Sequence, residues 1–184
     1  MSVQKYFIAI VAPEPIQTKL MSLKEFVKDT YNSKGALRSP AHVTLHMPFE
    51  WKEEKEDSLI NILAQFSFKE ELTIELHNFS CFEPRVIFVD VVKNELLKML
   101  QKELVEHIKK NLRLFNQSND VRGFYPHITI AFRDLKKERF YQAITYFKTQ
   151  TFTESFKTRY FCLLKHTGKE WLVHKEINFL ELAR

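Results

Sequence analysis

At 184 residues, with hydrophobic side chains at 45% and 17 phenylalanines, the chain can bury one sizeable core, which excludes a disordered or low-complexity sequence. Its net charge of +5 and pI of about 9.1 favour an anionic partner, without the long Lys/Arg run of a nucleic-acid tail. No apolar run approaches the roughly 20 residues of a membrane helix, the first residues do not form a signal peptide, and Cys81 and Cys162 lack metal or framework spacing. A soluble cytoplasmic protein is the expectation.

Tyr6 to Val11 is a short apolar run and reads as a buried strand. Pro13 and Pro15 end it and suit the first turn of a helix, along which Ile16, Leu20, Leu23, Phe26 and Val27 recur until Gly35 closes the segment. A strand entered after Pro40 follows, then a charged turn from Lys52 to Asp57 and a second amphipathic helix with Leu59, Ile60, Leu63 and Phe66. Leu72 to Cys81 alternates as a half-exposed strand does. Beyond Pro84, Arg85 to Val92 reads as a strand. Asn94 then caps a long helix whose stripe is Leu97, Leu100, Leu104, Ile108 and Leu112. A polar loop, Asn116 to Asp120, leads through Gly123 and Pro126 to another strand, and Phe140, Ile144 and Phe147 mark a fourth helix. Two long strands then flank the turn His166-Thr167-Gly168-Lys169, with Trp171, Val173 and Ile177 pairing back toward Tyr160 and Cys162.

Two of these strands carry one pattern: His42-Val43-Thr44-Leu45 and His127-Ile128-Thr129-Ile130. Side chains alternate along a strand, so each copy puts a histidine and a threonine on one face and buries the apolar residues behind. None of the other five histidines has Ser or Thr two residues on. Each half of the chain reads strand, helix, motif strand, helix, strand, and each motif strand is entered just after a proline. This predicts a single α+β domain of two similar halves, about residues 1–83 and 84–184, packed about a pseudo-two-fold axis. The two His/Thr pairs then face each other across a cleft.

Two facing imidazoles can work in line on a phosphodiester, because a histidine pKa near ~6.5 lets one accept a proton while the other donates. The threonine hydroxyls can bond the non-bridging oxygens where charge builds up. No metal or other cofactor is required. The three glycines, Gly35, Gly123 and Gly168, are scattered, so there is neither a Walker loop nor a dinucleotide fingerprint.

The paired motifs resemble those of the 2H phosphoesterase superfamily, and most of all its bacterial 2′-5′ RNA ligase and RNA 2′,3′-cyclic phosphodiesterase group. Phe7-Ile8-Ala9-Ile10 is similar to that group's first strand, and Tyr125-Pro126-His127-Ile128-Thr129-Ile130-Ala131 to its second motif. The resemblance implies a bilobal fold with two antiparallel sheets lining a cleft, and metal-independent chemistry on cyclic phosphate ends or 2′-5′ linkages of RNA or nucleotides. By carry-over, His42 and His127 are the acid/base pair, and Thr44 and Thr129 hold the phosphate. Two departures stand out. His46-Met47-Pro48-Phe49-Glu50 follows the first motif where many members have an apolar residue and a glycine turn. Phe132 stands where many place an arginine, with Arg133 one further on. On a regular strand Arg133 shares the face of His127 and Thr129, while Phe132 points away.

Other residues have two readings. Phe7 and Tyr125 could stack a base or simply pack. Arg38 and Arg122 could line the cleft mouth or be solvated loop residues. His46 falls on the face of His42 and Thr44, which raises a metal pair, although zinc sites take three or four protein ligands. Besides a monomeric phosphodiesterase, the sequence allows a non-catalytic RNA- or nucleotide-binding module that keeps the cleft, and, less directly, a metallohydrolase.

Overall fold

The computed structural model describes residues 2–116 and 123–180. The elements run β1 (Val3–Val11), α1 (Ile16–Tyr31), β2 (His42–Lys52), α2 (Glu56–Ala64), β3 (Leu72–Phe82), β4 (Val86–Val91), α3 (Glu95–Leu112), β5 (His127–Ala131), α4 (Lys137–Phe147), β6 (Thr153–Thr158), β7 (Tyr160–His166) and β8 (Trp171–Asn178). The strands form two four-stranded antiparallel sheets, ordered β2-β1-β7-β8 and β5-β4-β3-β6. This is the α+β, two-sheet architecture that the family resemblance implies.

The helices form for the reasons the sequence offers. In α3 the Asn94 side chain accepts from the Leu97 N–H at 2.9 Å, and Leu97, Leu100, Leu104, Ile108 and Leu112 are all buried. Helix α1 stops earlier than Gly35. Asn32 takes the left-handed conformation at φ 56° and its N–H bonds the Lys28 carbonyl, which ends the helix at Tyr31. Gly35 instead opens a 3-10 turn to Arg38. The tail forms the expected pair of strands about the turn after His166, with Phe161 opposite Ile177 and His166 opposite Trp171, and adds a third strand, β6. Thr153–Thr158 joins one sheet and Tyr160–His166 the other, with only Arg159 between them.

The two sheets are not the two contiguous halves of the chain. β3, from the first half, pairs with β4, while β7 and β8 return from the C-terminal end to sit beside β1. The exchange keeps the pseudo-symmetry, since β2-β1-β7-β8 matches β5-β4-β3-β6 strand for strand. Both motif strands lie at sheet edges, and those edges approach each other. The helices exchange too: α1 packs against β5 and α3 against β2.

Each motif strand carries a bulge just after its threonine. Thr44 pairs with Ala9 but His46 with Ile8, and Thr129 pairs with Phe88 but Ala131 with Ile87. Leu45 and Ile130 are the extra residues. Both are buried, as are His46 and Ala131 behind them. The bulge therefore turns His46 to the core side, away from the face of His42 and Thr44, which corrects the regular-strand expectation.

The turn after β5 is pinned to the turn after α1. The Asp134 carboxylate accepts from Ser33 Oγ and from the Lys34 and Gly35 N–H groups, each at 2.8 Å. Partial burial pushes its pKa up, but these three bonds outweigh it and hold the group below its ordinary value. A Cβ on residue 35 would stand 2.7 Å from Asp134 Oδ1, so the close approach requires glycine. Asp134→Ala leaves the three donors without their acceptor, and the buried Ser33 hydroxyl suffers most. Urea unfolding is expected to show a loss of about 1–2 kcal/mol at unchanged m; an unaltered midpoint would contradict the pin.

Candidate active site

His42 and His127 open their strands and are held alike. His42 Nδ1 donates to the Pro40 carbonyl at 2.7 Å, and His127 Nδ1 to the Tyr125 carbonyl at 2.7 Å. A carbonyl only accepts, so Nδ1 carries the proton and the lone pair of each neutral ring sits on Nε2. An aromatic ring backs each imidazole, Phe7 at 4.8 Å from His42 and Phe88 at 4.7 Å from His127 between ring centroids.

Both rings, with Thr44 and Thr129, line one cleft of about 550 Å³, a volume suited to a small organic ligand. Arg38 and Arg133 bring positive charge to the same cleft. Met47, Pro48, Phe132 and Trp171 give it apolar walls. Arg133 arrives there by a route other than the expected one. β5 ends at Ala131 and the chain turns, so Phe132 and Arg133 both line the cleft, and the guanidinium lies 5.3 Å from the Phe132 ring centroid. Phe132 does not point away.

The family model of the 2′-5′ RNA ligase superfamily matches residues 12–170. The chain belongs to that superfamily. A protein of Geobacillus kaustophilus (strain HTA426), named "Putative phosphoesterase GK0864", is 29% identical over 175 residues, which is 93% of this chain and 94% of that protein. E. coli LigT in apo form shares the fold with a TM-score of 0.67 at 17% identity, over 98% of this chain and 100% of LigT. LigT complexed with 3′-AMP gives the same TM-score and coverage at 18% identity.

Within this superfamily cleft the remaining candidates separate. Phe7 lines the cavity but is 4% exposed, so it presents little more than an edge. The Tyr125 side chain is not among the lining residues. Its ring packs 6.3 Å from His127, its hydroxyl donates to Asp90 Oδ2 at 3.3 Å, and its carbonyl holds the imidazole. Arg122 lies outside the described residues, as does most of the Asn116 to Asp120 loop. His46 is 1% exposed; its Nδ1 donates to the Met47 carbonyl at 2.9 Å, and its Nε2 has no hydrogen-bond partner among the described residues. It cannot share a metal with His42 from there. Among the described residues no group of three or more His, Cys, Asp or Glu is placed to hold a metal ion, and no helix is long and apolar enough to cross a membrane.

Sequence reasoning missed Trp171 and His166 as cleft residues. Trp171 packs its ring 4.8 Å from both Phe7 and His166. The hairpin that carries them was legible, but its place over the cleft depends on β7 pairing with β1. It also missed Lys24, a charged residue on the apolar stripe of α1.

Burial at the cleft wall brings the His42 pKa down from 6.5 to about 4; the Pro40 carbonyl opposes this, and the charges of Lys24 and His127 add to it. Between those two values the unfolded chain binds a proton at His42 that the folded chain refuses. Stability from this group is therefore complete above pH 6.5 and falls as pH drops toward 4, by at most about 3 kcal/mol for a shift of this size. His42→Asn is expected to flatten the fall in urea-unfolding free energy from pH 7 to 4. Identical slopes for variant and wild type would show that His42 does not carry it.

Proposed function

We propose that the chain is a phosphodiesterase that opens 2′,3′-cyclic phosphate ends of RNA or small nucleotides, or acts on 2′-5′ linkages, by paired-histidine acid/base catalysis without a metal ion. The observation that carries this reading is the matched pair of imidazoles. Each is locked through Nδ1, each comes from an edge strand of its own sheet, and both line one cleft with a threonine two residues on.

One imidazole takes a proton from the attacking water through Nε2 as the new O–P bond forms. The other gives its proton to the ribose oxygen as the ring P–O bond breaks. The Thr44 and Thr129 hydroxyls donate to the non-bridging oxygens, whose charge grows in the transition state. Arg133, with Arg38 beside it in the cleft, pairs with the phosphate or with a neighbouring one on a longer substrate. Phe7 walls the site behind His42, and Tyr125 acts through His127. Run in reverse, the same proton transfers join a 2′-5′ linkage. E. coli LigT, which shares the fold, has been crystallised in complex with 3′-AMP, which supports a ribonucleotide ligand. Both His/Thr pairs come from one chain, which supports action as a monomer; the cytoplasm, with its RNA and nucleotides, is the compartment proposed for it.

Assayed on a panel of 2′,3′-cyclic and 2′-5′ substrates, His42→Ala and His127→Ala are each expected to lower kcat by about 10²–10⁴. Thr44→Ala and Thr129→Ala should cost about 10²-fold. EDTA should leave the wild-type rate unchanged. Wild-type turnover by both histidine variants would sink the proposal. Tight, salt-sensitive binding with no product would point to the nucleotide-binding module, and abolition by EDTA to a metallohydrolase.

A further inference from the structure

Lys24 sits on the buried face of α1 and is 1% exposed. Its Nζ donates to the Ser39 carbonyl at 2.9 Å, and among the described residues no carboxylate pairs with it. Ser39 in turn lines the cleft. The ammonium is therefore one backbone carbonyl behind the cleft wall, where α1, the 3-10 turn and β5 pack together. An unpaired buried cation is costly, and a position needing only packing would be better filled by Met or Leu. Behind burial, the charge of Lys24 is one of the influences that lower the His42 pKa.

We infer that Lys24 is a positioning residue for the reaction proposed above, a buried cation that helps keep His42 unprotonated and adds the positive potential an oxyanion meets in the cleft. The inference rests on His42 acting there as an acid/base group. His127 from β5 and the Pro40 carbonyl also bear on His42, and the other charged or titratable groups facing the same cleft are Arg38 from the 3-10 turn, Arg133 and Asp134 from the turn after β5, and His166 at the end of β7. Asp134 is spent on its three donors, and Arg133 is an exposed residue. Salt screens exposed charges far more than a buried one, so the influence of Lys24 should persist at high ionic strength.

The test follows the His42 imidazole by NMR titration, and sulfate binding at pH 7, in the wild type, Lys24→Met and Lys24→Arg. In Lys24→Met the His42 midpoint should rise by at least about half a unit, and sulfate should bind about three- to tenfold more weakly. Lys24→Arg keeps the charge and should stay near the wild type in both. An unmoved midpoint, or unchanged sulfate affinity, in folded Lys24→Met overturns the inference. So does an equal shift in Lys24→Arg, which would mark a packing change. If Lys24→Met does not fold, the wild type still decides. Burial lowers the Lys24 pKa from 10.5 to about 8. The charge of sulfate is constant, so its affinity should fall as pH rises through that value, and a flat profile from about pH 7 to 9.5 overturns the inference. None of these readouts needs turnover, so they remain distinct from failure of the acid/base reading, which would appear as full activity in His42→Ala.

Discussion

The hydrogen bond from each motif histidine to the carbonyl two residues before it is the constraint on which the rest of the site depends. It commits one ring nitrogen to the backbone, fixes the tautomer, and leaves the neutral ring a single nitrogen for chemistry. The two loops reach this geometry with different sequences. In one the acceptor belongs to Pro40, two before His42; in the other it belongs to Tyr125, and the proline stands between. What the copies share is therefore the placement of a carbonyl relative to a strand start, rather than the identity of the residue that supplies it.

Two edge strands cannot hold such rings in register unless the sheets behind them are tied together. The chain does this by exchange. β3 leaves the first half for the second sheet, β7 and β8 return to the first, and α1 and α3 each pack on the opposite motif strand. The Asp134 carboxylate closes the same junction locally by taking the donors of the turn after α1. Because a motif strand on one side rests on a helix from the other, the lobes cannot shift without uncovering apolar surface in both.

The elements with strong periodicity were legible in the sequence. The α3 stripe and its Asn94 cap, the α1 stripe and both motif strands stand where their residues predict. What escaped depends on one-residue shifts or on long-range pairing. A bulge adds a single residue, so it reverses every face assignment beyond it. His46 went to the core for that reason. The end of β5 at Ala131 upset Phe132 and Arg133 in the same local way. Trp171 and His166 reach the cleft only through a strand order that no local pattern encodes. Lys24 did carry a signal, a lysine one turn beyond Leu20 on an otherwise apolar stripe. The usual meaning of such a lysine is a snorkelling side chain at the edge of a core.

The walls of the cleft give these placements their consequence. Phe7, Met47, Pro48, Phe132 and Trp171 supply apolar surface, and the charged groups among them are few. In such surroundings an imidazole resists taking a proton, as His42 does, and an anion is attracted by each nearby cation more strongly than it would be in water. A bound phosphodiester would therefore change the site it enters. Its negative charge, set beside the ring, would raise the proton affinity of His42 back toward the range in which an imidazole exchanges protons near neutral pH. The matched tethers at Pro40 and Tyr125 leave Nε2 on each neutral ring as the nitrogen open to such an exchange.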